Sequence, residues 1–206
     1  MRDRIWVKRP LAVLILSLVL PGCSLPALTP PTTPTPSPLD TIKALEAAMN
    51  EEDTDAALDL FVDEGLSFSV AGLVAADKEM LRWVLDSRMA LSDRDEWRDC
   101  QQQGETVTCT GLNRSICGKA EGVEVIHVPT TFTFQDQKIR SMVGDIVSDE
   151  GRVLEAGAAK LHSWAVIHRP EEQEIHLHPE SAGLTGREYG ELVAELCRDY
   201  LEATGQ

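Results

Sequence analysis

Cysteines, histidines and glycines are the residues of this 206-residue chain whose types and spacing invite chemistry. Cys100, Cys109, Cys117 and Cys197 lie in the body of the chain. Four cysteines admit three disulfide connectivities, so counting alone does not choose. Local geometry does better. If Gly104 and Glu105 are the central pair of a type II′ turn, which takes glycine first, Gln103 faces Thr106 and Cys100 faces Cys109. Counting outward from the turn, Cys100 and Cys109 form a non-hydrogen-bonded pair. Such pairs bring Cα atoms to about 4.5 Å, at the short end of disulfide geometry. The spacing predicts a Cys100–Cys109 bridge across this hairpin. Cys117 falls in the loop that follows, and Cys197 on the apolar face of the last helix. These two either pair with each other or leave Cys197 as a buried thiol.

The histidines are weaker signals. His176 and His178, flanked by Glu174 and Glu180, share one side of an extended segment and form a weak metal set without a third spaced ligand. A charged surface loop is the favoured reading. His162 and His168 are six apart, which is not a same-face helical spacing. Gly151, Gly157 and the Gly183/Gly186 pair lack the strand–loop–helix context and the lysine of a phosphate loop. No metal or cofactor is called for. Trp83, Trp97 and Trp164 read as packing residues.

The N-terminus carries a different chemistry. Arg2, Arg4, Lys8 and Arg9 precede an apolar run, Leu11 to Leu20, interrupted only by Ser17. That run is half the roughly 20 residues a membrane span needs, so it fits the core of a signal peptide. It ends in Leu20-Pro21-Gly22-Cys23, which resembles the bacterial lipobox. The resemblance implies diacylation of the Cys23 thiol and cleavage before it, with residues 1–22 as the signal peptide. Pro21 departs from the usual pattern. Residues 23–39 then form a Pro/Thr/Ser-rich linker that makes no core. At about 3.1 Å per residue it holds a domain up to roughly 50 Å from the lipid. The expected location is the extracytoplasmic face of a cell membrane, anchored by lipid on Cys23.

The chain has 19 basic and 34 acidic residues, net −15. Removal of residues 1–22 takes away four basic and one acidic residue, leaving 15 and 33, net −18. Nucleic acid is excluded as a partner by that charge, and so are anionic headgroups.

The remaining residues are long enough for one domain that buries about 70% of its unfolded surface. Asp40 and Asp53 read as N-caps of two helices, with Ile42, Leu45 and Met49 on one face of the first, and Gly65 ending the second. A strand follows over Leu66 to Val70, then a helix from about Asp77 to Ala90 carrying Met80, Leu81, Val84, Leu85 and Arg88. The period then changes. Strands are predicted over 96–103, 105–112, 123–134 and 138–147, with Ile126, Val128, Thr130, Phe132 and Phe134 forming one apolar face. Helices follow from Ser148 to about His168, stopped by Arg169-Pro170, and after a Thr185/Glu188 capping box.

This order resembles the nuclear transport factor 2-like fold, which includes the SnoaL-like polyketide cyclases. The residues that carry the likeness are IKALEAAMNEEDTDAALDLFVDEGLSFSV (42–70), GETVTCTGLN (104–113) and FTFQDQKIRSM (132–142). The resemblance covers residues 40–147, with 148–206 as a C-terminal helical extension. It implies an α+β fold, a strongly curved, mostly antiparallel sheet wrapped as a cone around the N-terminal helices. Enzymes of this fold use an Asp or His in the cone as general acid or base. The matching candidates are Asp145, His127 and Asp99. Asp145 sits among Val143, Gly144 and Ile146, where burial would raise its pKa. His127 occupies the register opposite the apolar face, and Asp99 lies beside Arg98 and near Arg94 and Asp95 on what reads as a solvated edge. The leading expectation is a non-catalytic domain that binds a small apolar ligand in its cone or a protein partner on its sheet face, where a homodimer would also form. The alternatives are an isomerase, dehydratase or cyclase using Asp145, and a structural envelope component. Fold alone decides none of these.

Overall fold

The computed structural model describes residues 36–91, 94–172 and 183–205, all within the compact unit Thr35–Gln206. Helix α1 (Pro38–Asn50) starts inside the segment expected to be linker. Its N-cap is Ser37, which forms a capping box with Asp40, so Asp40 is the third helical residue and not the cap. Proline suits this first turn because its missing N–H would be unsatisfied there anyway. Helix α2 (Thr54–Asp59) is capped by Asp53, whose carboxylate accepts from the Ala56 N–H. It stops well before Gly65 because Phe61 leaves it to form a bridge with Ile139.

Strand β1 (Ser67–Val70) turns back through Ala71 and Gly72, both at positive φ, into a three-residue strand β2 (Leu73–Ala75) that the sequence reading missed. Helix α3 (Lys78–Ala90) follows, capped by Asp77. Strands β3 (Arg94–Gln103) and β4 (Thr106–Arg114) form the expected hairpin. Ser115 then caps a short helix α4 (Ile116–Glu121) where a loop was expected. Gly122 closes it in the left-handed conformation, and the Val123 N–H bonds back to the Gly118 carbonyl. The next strand, β5 (Ile126–Gln135), therefore begins three residues later than periodicity suggested. Strand β6 (Lys138–Gly144) ends early, leaving Asp145 beyond it. Helices α5 (Ser148–His168) and α6 (Gly186–Thr204) follow among the described residues, the latter with the Thr185/Glu188 capping box.

Among the described residues the six strands form one sheet in the order β2-β1-β6-β5-β4-β3. Every neighbouring pair is antiparallel except β1 and β6, which run parallel. The main core lies between one sheet face and α1, α2 and α3. Phe61, Phe68, Phe132, Leu45, Leu81, Leu85, Ile139 and Val107 are its largest fully buried side chains. The alternation along β5 holds, with Ile126, Val128, Thr130, Phe132 and Phe134 all buried. A smaller second core joins α4, α5 and α6 through Ala120, Leu161, Ala165, Leu196, Cys197, Tyr200 and Leu201.

Candidate functional site

Large apolar side chains fill the interior that a cone-shaped cavity would occupy. Phe132 meets Trp97 edge-on and lies against Phe134, with ring centroids 5.6 and 6.5 Å apart. The buried polar groups at this end are paired. The Arg88 guanidinium donates to Asp95 at 2.8 Å, and Asp95 also accepts from the Asn113 side-chain amide. Both Arg88 and Asp95 keep only 9% of their side-chain surface. The sequence reading placed Asp99 on a solvated edge with Asp95 nearby, and Asp95 does not share the exposure of Asp99. Asp95 is buried instead, because Arg88 on the inner face of α3 supplies the charge that lets it leave water.

The acid–base candidates do not converge. Asp145 is exposed, past the end of β6, and not enclosed by Val143 and Ile146 as its neighbours suggested. Its chain has left the sheet, so alternation no longer aims it inward. His127 lies on the outer side of β5, as its register implied. Its Nδ1 is 2.7 Å from Glu150 in the first turn of α5, and its backbone N–H donates to the same carboxylate. Asp99 is exposed at φ +53° in a bulge of β3. His176, His178, Glu174 and Glu180 lie outside the described residues, as do Cys23 and residues 1–22. Among the described residues no cluster of His, Cys, Asp or Glu has metal-ligand geometry. No described helix is long and apolar enough to cross a membrane.

Four cysteines form two disulfides. Cys100 bonds to Cys109 with Cα atoms 4.1 Å apart. Gln103 faces Thr106 and Gln101 faces Thr108 as the II′ turn requires, but the register then slips so that Arg98 faces Thr110. Asp99 and Cys100 are thus the bulged residues opposite Cys109, a feature that local counting from the turn does not show. The second bond joins Cys117 of α4 to Cys197 of α6.

One burial-shifted acid stands out. Desolvation pushes the Glu121 carboxyl up to about 7, at the end of α4 where Gly157 of α5 packs on its backbone. No sequence motif pointed to it, because its environment is made by α5, which follows two intervening strands in the chain.

The outer face of the sheet has an unusual composition. Paired residues share a face, so the register collects Ser67 and Ser69 of β1, Ser141 and Val143 of β6, Thr131 and Thr133 of β5, and Thr106, Thr108 and Thr110 of β4. None of these is ionisable. All are exposed or half-buried, and Val143 is 45% exposed. Thr133 and Ser141 hydrogen-bond to each other across the strands at 2.6 Å. Charge borders this group at His127 with Glu150 at one end of β5, at the exposed Arg140 of β6, and at the β3 edge, where Glu96 is paired with Arg98 and, more distantly, Arg114.

The succession of elements and the strand order are those of the nuclear transport factor 2-like fold, as the sequence resemblance implied. No family model matches the sequence, and no curated protein matches it. Among solved structures the chain is similar to an uncharacterised cystatin-fold protein from Novosphingobium aromaticivorans, at 25% identity over 52% of this chain and 97% of that one, TM-score 0.44. It is also similar to an NTF2-like protein of unknown function from Cytophaga hutchinsonii, at 12% identity over 55% of this chain and 92% of that one, TM-score 0.45. A third likeness is to the epoxide hydrolase/cyclase-like enzyme SalBIII of pyran-ring formation in salinomycin, at 17% identity over 55% and 92%, TM-score 0.47.

Proposed function

We propose that this chain is a non-catalytic, extracytoplasmic domain, tethered by lipid on Cys23, that pairs with a second copy of itself through the outer face of its sheet. The observation that carries this reading is the uncharged patch on β1, β6, β5 and β4 of a chain whose net charge is −15. Elsewhere two such chains repel each other. Across the serine and threonine patch itself no like charges are brought together, and depletion of charge is the compositional mark of an interface centre. Two disulfides support an oxidising compartment. A small apolar ligand within the cone would need room that Phe61, Phe132, Leu81 and Leu85 occupy. An enzyme based on Asp145 would need a base that its exposed position does not shelter.

Sedimentation equilibrium of the full chain in density-matched detergent tests the pairing. The wild type should sediment as a dimer, and Thr108→Glu/Thr131→Glu as a folded monomer. A wild type that stays monomeric up to millimolar concentration refutes the interface. For the tether, Cys23→Ala should abolish palmitate labelling and release the protein from membranes; a labelled, membrane-bound variant rules the anchor out.

A further inference from the structure

The β2 edge of the sheet carries a second surface, which meets the outer face where Val74 pairs with Ser69. Beside β2 lies an open depression of about 630 Å³. It is bounded by Leu73, Val74, Met80, Trp83, Val84 and Leu184. Val74 and Met80 are 60% and 49% exposed, so two large apolar side chains meet solvent here. Met80, which the helical period grouped with Leu81, Val84 and Leu85, therefore sits on the open side of α3. Trp83 is held in place by stacking on Tyr189 and by its indole N–H, which donates to the Leu184 carbonyl.

Register shows what the backbone offers at this edge. The two-residue turn Ala71-Gly72, with φ of +51° and +83°, is type I′, so the closing pair Val70/Leu73 is hydrogen-bonded. The next pair, Ser69/Val74, is then non-hydrogen-bonded, and the N–H and C=O of Val74 point away from β1. Nothing among the described residues bonds to them. β2 is an edge strand in the sheet order and carries no lysine or proline, the usual guards of such an edge.

The charges beside the depression have one available sign. Lys78 is engaged by Asp63, Arg82 by Asp55 and Arg152 by Asp149. Glu79 at the depression, and Asp145 and Glu155 in the neighbouring one across Gly72, form no ion pair among the described residues. The surroundings therefore favour a cationic partner.

We propose that β2 and α3 form a docking site for an extended peptide that adds a strand at Val74, sets alternate apolar side chains against Met80 and Trp83, and carries lysine or arginine beside them. Strand addition combines main-chain bonds for affinity with side-chain pockets for selection. The depression has the volume of a ligand site.

Fluorescence anisotropy of the full chain with a labelled KKTVTVTKK peptide tests it. Saturable binding is expected. Three changes should each weaken it at least tenfold: N-methylation of both peptide valines, replacement of the lysines by glutamates, and Met80→Lys in the protein. Val74→Pro, which removes the outward N–H, should do the same while keeping the fold by circular dichroism. The absence of saturable binding overturns the proposal. So does equal affinity for the N-methylated or glutamate-flanked peptide, or for Met80→Lys. Self-association that Val74→Pro abolishes would assign the edge to a second copy and also overturn it.

Discussion

Removing the Cys117–Cys197 disulfide should cost more stability than removing Cys100–Cys109, by an amount set by the loops they close. The two bonds span sequence separations of 80 and 9, and the loops do not overlap. Loop-closure entropy then gives about 4.5 kcal/mol for the first and about 2.7 kcal/mol for the second, a difference of roughly 2 kcal/mol. Packing points the same way. Cys109 lies in a sheet joined to the main core, whereas Cys197 is completely buried in the small cluster that holds α4, α5 and α6 together. The test is urea unfolding of Cys117→Ala/Cys197→Ala and of Cys100→Ala/Cys109→Ala. The first pair should show the larger fall in unfolding free energy and the earlier loss of protection in α5 and α6 by hydrogen exchange. Because the loops are separate, the quadruple variant should lose the sum of the two. Equal losses, or a larger loss for the hairpin pair, would refute both the loop argument and the clamping role assigned to Cys117–Cys197.

Glu121 should make stability pH-dependent. Its pKa is raised to about 7 from 4.5 by burial, so the folded state holds the proton more tightly than the unfolded state. The stabilisation is fully present below about 4.5 and is lost as pH rises to about 7. After discounting for its partial exposure the effect is about 1–2 kcal/mol. Glu121→Gln should remove that slope and stabilise the protein at pH 8; chemical denaturation at pH 5 and 8 checks this, and an unchanged slope would count against it. Asp95→Ala should cost about 3–5 kcal/mol by taking a buried carboxylate partner from Arg88, whereas Arg98→Ala on the exposed β3 edge should leave stability nearly unchanged in the same assay. Gly190→Ala should lower stability by about 1–3 kcal/mol in the same assay, since its new Cβ would overlap the Ser87 carbonyl and lift α6 from α3.

Much of this protein is local, and those parts were legible in its residues. Asp53, Asp77 and the Thr185/Glu188 pair satisfy helix N–H groups within one turn, so they mark helix starts before any tertiary contact exists. Pro170 stops α5 by clash with its own neighbour. Alternation along β5 separates its two faces, and the glycine-first turn sets the β3–β4 register as far as Gln101.

Other features depend on groups far apart in the chain. The six-residue α4 and three-residue β2 are too short to show a period, and each is held by partners elsewhere: α4 by α5 and α6, β2 by β1. The bulge at Asp99 and Cys100 relaxes a mismatch between two strands, which neither strand reveals alone. Asp145 reads as the end of a strand, but its position depends on where β6 stops pairing with β1 and β5. Each serine and threonine of the outer face is unremarkable in its own strand. Only the registers of β1, β6, β5 and β4 bring them together as one uncharged surface, because register is decided by burying the opposite face against α1, α2 and α3.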